Sequence, residues 1–242
     1  MFCIYFIYHF FKKRGDFLSI YAISDLHLSL GTNKPMDIFG WDNHVERVRA
    51  NWTRMVKADD IVVLPGDFSW ALKLEESLED FKFLESLPGK KILLKGNHDL
   101  WWPTVKKVMD FLRENQITSV SLVFNNAYEY GDYCICGTRG WCFPEGGSDK
   151  KVILREVGRL KASLENAKKL NKKPIVFLHY PPVYGEEKCD EILDVLREYG
   201  IDLVYHGHIH GKGLNNATDE FDGIKFKLIS SDCIDFTPYF VL

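Results

Sequence analysis

The sequence predicts a single α/β domain in which parallel strands are joined by helical crossovers. Short apolar and β-branched runs alternate with stretches of helical periodicity over the first half of the chain. No Pro- or Ser-rich linker divides the chain. The 242 residues, of which 14% are aromatic, are sufficient to form a sizeable hydrophobic core. These observations favour one folded domain over a largely disordered chain.

The first half of the chain alternates strand and helix. Strands are predicted at 19–23, 61–64 and 91–94, and amphipathic helices at 45–56, 74–84 and 105–112. Pro103 precedes the third helix, in agreement with the preference of proline for the first helical turn. Strands separated by single helices pair in parallel through right-handed crossovers.

The second half begins differently, because residues 117–137 alternate in polarity and contain the turn signals Asn125-Asn126 and Gly131-Asp132. We expect antiparallel strands there. The later elements are predicted as a helix at 153–167, a strand at 175–178, a helix at 191–199, a strand at 203–205 and closing strands at 224–229 and 239–241.

Composition and charge narrow the function classes. The formal net charge of -3 does not indicate a nucleic-acid binder, so we expect no stable nucleic-acid complex. The six cysteines are scattered in a chain too large to need disulfide staples, which fits a cytoplasmic location. Cys134 and Cys136 are interpreted as strand residues rather than zinc ligands, because no second pair has the spacing of a zinc site.

The N-terminal segment needs a separate interpretation. Residues 1–11 are apolar and aromatic, and the basic run Lys12-Lys13-Arg14 follows. A secretory signal peptide has the opposite order, and the apolar run is too short to span a bilayer, so no transmembrane span is expected. Two interpretations stay open: an anchor at the membrane surface, or an extension that arises from an early start codon. We assign residues 1–17 to this extension and 18–242 to the domain.

Side chains of metal-ligating types follow five of the predicted strands. They are Asp25 with His27, Asp67, Asn97 with His98, His179, and His208 with His210. In open α/β sheets, ligands bind beyond the carboxyl ends of the strands, so residues distant in sequence can converge there. Carboxylate, imidazole and amide oxygen donors suit Mn, Fe, Zn or Ni. Because one catalytic ion must keep an open position, this many ligands indicate two ions that share a carboxylate.

These residues resemble the motifs of the calcineurin-like metallophosphoesterase superfamily. The matching blocks are Asp25-Leu26-His27, Gly66-Asp67, Gly96-Asn97-His98-Asp99, His179 and Gly207-His208-Ile209-His210. They extend from about residue 20 to residue 210. The resemblance implies a four-layer α/β/β/α sandwich of two mixed β-sheets flanked by helices. It also implies a metal-dependent phosphoric ester hydrolase, either a phosphatase or a phosphodiesterase.

The resemblance further implies a role for each matching residue. The first of two transition metal ions would be held by Asp25, His27, Asp67 and His210. The second would be held by Asp67, Asn97, His179 and His208, with Asp67 bridging the two. A metal-bridging hydroxide would be the nucleophile. His98 would act as the general acid and would be oriented by Asp99.

One departure narrows the subfamily. In the protein Ser/Thr phosphatases of this superfamily the Gly-Asp block continues as Asp-Arg-Gly, whereas here Phe68-Ser69-Trp70 follows Asp67. The chain is therefore most similar to the small prokaryotic predicted phosphohydrolases. The expected substrate is a phosphorylated small molecule or nucleotide, and monoester and diester hydrolysis both stay open.

Residues near the motifs could select the substrate. Arg139 is a candidate phosphate contact, because guanidinium matches phosphate geometry. Trp101 and Tyr180 could stack on a flat leaving group, or they could belong to the core. His206 is expected to support the final block without binding metal. His44 is interpreted as a helix-start residue, and Asp232 and Asp235 as residues of a surface turn.

Two further function classes fit the sequence less well than a phosphoesterase. Non-catalytic scaffolds occur on this fold but lose ligands or the acid histidine, and this chain retains all of them. A mononuclear amide hydrolase is disfavoured by Asn97 and by the second set of ligands. One metal ion per chain together with amidase activity would support that alternative.

Overall fold

The computed structural model describes residues 19–142 and 150–242 of the chain. The predicted extension at residues 1–17 lies outside these ranges. The strands, in chain order, are β1 (Ile20–Ala22), β2 (Ile61–Leu64), β3 (Lys90–Leu93), β4 (Val120–Leu122), β5 (Tyr128–Tyr130), β6 (Tyr133–Thr138), β7 (Lys173–Leu178), β8 (Val183–Tyr184), β9 (Glu187–Lys188), β10 (Leu203–His206), β11 (Glu220–Phe221), β12 (Ile224–Leu228) and β13 (Tyr239–Phe240). The helices are α1 (His44–Met55), α2 (Leu78–Ser86), α3 (Val105–Glu114), α4 (Lys150–Lys169) and α5 (Asp190–Glu198).

Two mixed sheets form the centre of the fold. The first has the strand order β13-β1-β2-β3-β4, and all its pairs are parallel except the pair of β1 with β13. The second has the order β11-β12-β10-β7-β6-β5, in which only the two outer pairs are antiparallel. Strands β8 and β9 form a separate two-stranded ribbon.

Three apolar clusters show that the layers are ordered α/β/β/α. One cluster joins α1, α2 and α3 to the first sheet, and it includes Trp52, Phe81 and Val62. A second lies between the sheets and includes Val63 and Phe177. The third joins α4 and α5 to the second sheet. Each sheet is thus covered on both faces, which explains why β2 is apolar along its whole length. The predicted four-layer sandwich is confirmed.

The helices follow the predicted apolar periodicity. In α3, the Thr104 side chain accepts a hydrogen bond from the Lys107 N–H at 3.3 Å, which caps the first turn. The predicted helix at 74–84 begins as a 3-10 helix at Leu74–Ser77 before α2 continues it. In the part of the chain that the structure describes, no helix combines the length and apolarity that crossing a bilayer requires.

The prediction of antiparallel strands at 117–137 is wrong for the first of them. β4 joins the first sheet parallel to β3, with Val120 opposite Lys91. Of the three strands in this range, only β5 and β6 pair as an antiparallel hairpin, and they belong to the second sheet. Alternating polarity indicates a half-buried strand but does not specify its partner, so the crossing between the sheets was not visible in the sequence.

The carboxyl ends of the two sheets meet along one edge of the sandwich. Ser24 forms a parallel bridge with Ser230, which links the end of β1 to the end of β12. The Gly207 N–H donates to the His179 carbonyl at 3.1 Å, which joins the ends of β10 and β7. The loops that leave β1, β2, β3, β7 and β10 are therefore neighbours in space.

Candidate metal centre

Two groups of candidate ligands lie at this shared edge. One consists of Asp25, His27 and His210, and the other of Asp67, His179 and His208. Within each group the ligand atoms lie within 4.8 Å of one another. The groups divide these residues in the same way as the sets expected from the sequence. Metal binding by each of these residues stays a prediction.

Asp67 lies between the two groups. Its Oδ2 is 3.5 Å from His179 Nε2 and 3.8 Å from His27 Nε2. Its Oδ1 accepts a hydrogen bond from the His98 N–H at 2.8 Å, which fixes the carboxylate in this position. A carboxylate that faces imidazoles of both groups is placed to serve two ions at once.

Asn97 completes the second group. Its Oδ1 lies 2.6 Å from His179 Nε2 and 3.1 Å from His208 Nδ1. The His179 Nδ1 lies 3.1 Å from the Pro65 carbonyl, so a proton on Nδ1 leaves the Nε2 lone pair facing Asn97 and Asp67. With that proton position, His179 Nε2, Asn97 Oδ1 and Asp67 Oδ2 are all acceptors, and converging acceptors form a site for a cation, either a proton or a metal ion.

His210 has a similar arrangement in the first group. Its Nδ1 lies 2.8 Å from Asp232 Oδ1, and its Nε2 lies 3.2 Å from Asp25 Oδ1. That second approach is an ion-pair contact, because the buried Nε2 makes no hydrogen bond to any described residue. Metal-bound histidines characteristically donate their other N–H to a carboxylate, so the orientation of His210 fits a metal ligand.

The charge states also fit metal binding. Burial alone would raise the pKa of Asp25, but the neighbouring imidazoles, above all His210, hold this pKa below its usual range. Burial would likewise raise the pKa of Asp67, but His179 and His27 lower it. Burial lowers the pKa of His27 and of His208 to about 4. Ionised carboxylates and neutral imidazoles are the forms that bind metal ions.

His210 and His179 differ from the other two imidazoles. Burial opposes their protonation, but Asp25 raises the pKa of His210 to about 10, with Asp232 contributing. Asp67 likewise raises the pKa of His179. A bound cation would replace the proton on each ring, so we expect metal uptake to release protons.

Two glycines allow the loops to approach this closely. A Cβ at Gly96 would lie 2.1 Å from Asp67 Oδ1, and a Cβ at Gly207 would lie 2.2 Å from Asp25 Oδ2. Any side chain at either position would displace a carboxylate of the site. The glycines of the Gly96-Asn97 and Gly207-His208 blocks are therefore required by close packing.

Asp99 occupies a different position from the one expected. Its oxygens accept hydrogen bonds from five N–H groups, which belong to the backbones of Asp67, Phe68, Ser69 and Gly96 and to the indole of Trp101. A carboxylate offers about four lone-pair sites, so these donors saturate it. Asp99 therefore fixes the loops that carry Asp67 and Asn97, and it is not positioned to orient the His98 imidazole.

Aromatic rings, not Asp99, surround the His98 imidazole. The centroid of the Trp70 ring lies 4.3 Å from that of His98, and Trp70 also stacks on His27 at 4.6 Å. The His98 ring lies 5.6 Å from the His27 ring, which places it beside the first group. Burial lowers the pKa of His98 from its usual value.

The predicted substrate residues have different environments. Tyr180 lies with its ring 3.9 Å from that of His208 and lines a cavity of about 440 Å³ that also contacts His210. Trp101 is 1% exposed and packs on Phe81, so it belongs to the core and does not face this cavity. Arg139 lines a different cavity, which is described below.

The sequence analysis missed one residue of the site. Asp232, predicted with Asp235 to lie in a surface turn, accepts from the Gly211 N–H at 3.0 Å as well as facing His210. Asp235 does lie at the surface, where it pairs with Arg47. No motif marks Asp232, because it follows His210 by 22 residues in an irregular turn.

His206 and His44 lie outside both groups. His206 is buried at the end of β10, with Nδ1 3.1 Å from the Gly207 carbonyl. His44 is the first residue of α1 and is buried against Trp41. Neither residue contributes to the two groups of candidate ligands.

A comparison with known protein families gives a match over most of the chain. A model of the calcineurin-like phosphoesterase family matches residues 18–212. The chain belongs to this family. The family and the two groups of ligand-like residues support a metal-dependent phosphoesterase in general terms. A search among curated proteins gives no match.

Comparison with solved structures gives several similar chains, and two of those described here share the architecture. The protein TT1561 of Thermus thermophilus is 18% identical, with a TM-score of 0.53 and coverage of 81% of this chain and 83% of that one. The phosphopantetheinyl hydrolase PptH from Mycobacterium tuberculosis is 17% identical, with a TM-score of 0.51 and 88% coverage of each chain. A protein of unknown function from Aquifex aeolicus is 17% identical, with a TM-score of 0.47 and coverage of 92% and 95%. At these identities the first two comparisons show the fold alone.

Proposed function

We propose that this calcineurin-like phosphoesterase is a dinuclear enzyme that hydrolyses phosphoric esters of small molecules or nucleotides. The observation that carries the proposal is the position of Asp67, whose carboxylate faces imidazoles of both ligand groups. A site for a single ion would not need a carboxylate shared in this way. The two groups together supply more donors than one catalytic ion can use.

In this proposal the ligand sets are those expected from the sequence. The first ion is held by Asp25, His27, Asp67 and His210, and the second by Asp67, Asn97, His179 and His208. When bound, such a pair of cations lowers the pKa of coordinated water and neutralises charge on the phosphoryl oxygens. Mn, Fe, Zn and Ni all suit these donors.

His98 is the proposed general acid. Its backbone N–H is tied to Asp67, and its ring lies beside the first group at a partly buried position. An imidazole there can give a proton to the oxygen of the leaving alcohol. The contacts with Trp70 restrict the ring and limit access of water to it.

A screen of metal-reconstituted protein tests this proposal. Phosphomonoesters, phosphodiesters and nucleotides are compared, and a phosphopantetheinyl ester is included because one structure of the same fold is named for that substrate. We expect turnover of at least one ester with wild-type protein and a loss of about 100- to 10,000-fold in His98→Ala. The metal content of His98→Ala should equal that of wild type.

The outcomes of the screen separate the function classes. Loss of metal in His98→Ala would argue against its role as an acid that does not bind metal. Amidase activity with one ion per chain would support a mononuclear hydrolase. A protein that binds two ions yet hydrolyses no ester in the screen would support a non-catalytic scaffold.

A further inference from the structure

A second cavity, of about 620 Å³, lies beside the candidate metal centre and has a basic lining. Lys95, Lys106, Arg139 and Arg159 line it, and none of the described residues in its lining is acidic. None of the seven candidate metal ligands lines it either. An anion in this cavity would therefore be a different group from a phosphoryl group held at the metal ions.

Two strand ends connect this basic cavity to the metal centre. β6 pairs with β7 so that Thr138 is opposite Leu178, which places Arg139 beside His179 at the same edge of the sheet. The Tyr180 N–H donates to the Arg139 carbonyl at 2.9 Å. Lys95 comes from the loop after β3 that also carries Asn97. A substrate that reaches both sites needs to extend only from one strand end to the next.

The Arg139 side chain is positioned without being fully paired. Its guanidinium carbon lies 4.3 Å from the centroid of the Trp141 ring. Its Nε is buried and makes no hydrogen bond to any described residue. Burial lowers the pKa of Arg139, and Glu156 only partly opposes this effect. A buried donor on a cation is costly unless an acceptor is supplied, and a bound anion would supply it.

Nearby acidic side chains neutralise only part of the positive charge of the cavity. The Glu156 carboxylate accepts hydrogen bonds from Thr138 Oγ1 at 2.8 Å, from the Gly140 N–H at 2.9 Å and from Arg159 at 2.6 Å. It therefore balances one cation of the lining, Arg159, and Asp110 pairs with the exposed Lys106 at 2.6 Å. Among the described residues, Lys95 and Arg139 form no ion pair with a carboxylate. The first residues of α3, including Val105, also line the cavity, and the partial positive charge of the helix N-terminus adds to the field there.

We infer that the substrate carries a second anionic group, either phosphoryl or carboxylate, which the basic cavity binds while the ester phosphate lies at the metal centre. This inference rests on the proposed function, because it assigns the substrate class of the same site. Arginine is well suited to the task, since its planar guanidinium binds phosphate and carboxylate in a bidentate manner. Neutral esters and simple aryl phosphates would leave the cavity without an anion.

The test compares phosphate esters that differ only in the group at the end of the chain opposite the ester phosphate. The metal-loaded enzyme is assayed with alkanediol bisphosphates, ω-carboxyalkyl phosphates and ω-hydroxyalkyl phosphates of increasing chain length. At the best length, kcat/KM should be at least about tenfold higher for a doubly anionic ester than for its hydroxyl counterpart. The bisphosphate and carboxylate arms identify which second anion is preferred.

Variants of the cavity residues test whether the preference for doubly anionic esters arises in the basic cavity. Arg139→Gln and Arg159→Gln should each bring the ratio of kcat/KM for doubly and singly anionic esters towards one, and Arg139→Lys should restore part of it. Lys169→Gln is the control, because Lys169 is exposed on the same helix as Arg159 and does not line the cavity. It should keep the wild-type ratio.

A binding measurement separates this inference from the proposed function. Calorimetry with an alkane bisphosphonate and the matching monophosphonate should give a tenfold or larger ratio of affinities in wild type that Arg139→Gln loses. If no ester is hydrolysed but this ratio persists, the proposed function fails and the anion site stands. If esters are hydrolysed but both ratios are close to one at every length, the second-anion site is wrong.

Discussion

Four of the candidate ligands adopt a left-handed backbone conformation. The φ angles are 60° at Asp25, 46° at His27, 50° at Asp67 and 72° at His208. Such conformations cost about 1–3 kcal/mol each in residues other than glycine, so they persist only where the surroundings enforce them. The Asp25 N–H donates to the Gly66 carbonyl and the His27 N–H to the Asp67 carbonyl, both at 3.0 Å. Strain of this kind is typical of functional sites.

Asp80 shows how a buried carboxylate supports the loops without binding metal. It lies in α2 and is fully buried. Its oxygens accept hydrogen bonds from the Leu30 N–H at 2.7 Å and from the Ser69 hydroxyl. Burial raises the pKa of Asp80 to about 6, and these hydrogen bonds oppose the rise. The loops after β1 and β2 are thus tied to α2 through one side chain.

The raised pKa of Asp80 predicts a pH-dependent stability. The folded state holds the Asp80 proton up to about pH 6, whereas the unfolded chain releases it near pH 4, so stability falls as the pH rises through this range. The free energy of unfolding of wild type minus that of Asp80→Asn should fall by about 2 kcal/mol between pH 4 and pH 7. Urea unfolding of metal-free protein measures this difference. Glu75→Gln, which removes an exposed carboxylate nearby, is the control, and a pH-independent difference for Asp80→Asn would contradict the assignment.

At the scale of elements, Asp99 joins the loops that follow β2 and β3. In the wild-type protein the Asp67 and Gly96 N–H groups donate to one carboxylate oxygen of Asp99. In Asp99→Asn an amide NH₂ replaces one of the two carboxylate oxygens, so N–H donors face another donor. We expect Asp99→Asn to lower the free energy of unfolding by roughly 2–4 kcal/mol. Chemical denaturation measures this loss, with the exposed Asp59→Asn as the control. A loss below about 1 kcal/mol would show that these hydrogen bonds do not hold the loops together.

The turn after β12 contacts His210 through Asp232. Asp232 in this turn faces Nδ1 of the ring, and Nε2 is directed at Asp25 in the first ligand group. Asp232→Ala should weaken metal binding by about 10- to 100-fold, because loss of such a supporting carboxylate frees the imidazole. Chelator competition measures the affinity. Asp235→Ala in the same turn is the matched control, and equal affinities in the two variants would rule out a positioning role for Asp232.

The site residues that could be predicted lie next to predicted strands, whereas those that could not depend on contacts between loops distant in sequence. Asp25, Asp67 and His179 could be placed in the candidate centre because each lies within three residues of the end of a predicted buried strand. The roles of Asp99 and Asp232 could not be predicted, because they depend on contacts between loops from different strands. Trp101 could not be distinguished from a surface aromatic residue, because its burial depends on α2 packing across it.

At the scale of the whole molecule, the fold was predictable where periodicity was strong. The regular alternation of β1, α1, β2, α2 and β3 specified half of the sandwich. The division of strands between the two sheets was not predictable, because β4 and β5 are short neighbours in sequence that join different sheets. Only the resemblance to a family implied two sheets.

The arrangement of the two sheets gives the central claim its physical basis. Each sheet contributes candidate ligands from its carboxyl edge, and a bridge between Ser24 and Ser230 holds the edges together. The Ser230 hydroxyl also donates to Asp25 at 3.1 Å, so the residue that joins the two sheets also contacts the first ligand group. The metal centre is therefore expected to form only when both sheets are assembled.

The most direct test is the number of metal ions per chain, measured by elemental analysis after reconstitution and removal of excess metal. We predict about two ions for wild type and for the exposed control Asp202→Asn. Asp67→Asn should lose metal and ester hydrolysis together, because its carboxylate faces both groups. An Asp67→Asn protein that keeps two ions and full activity, or a wild-type protein that binds only one, would contradict the shared centre.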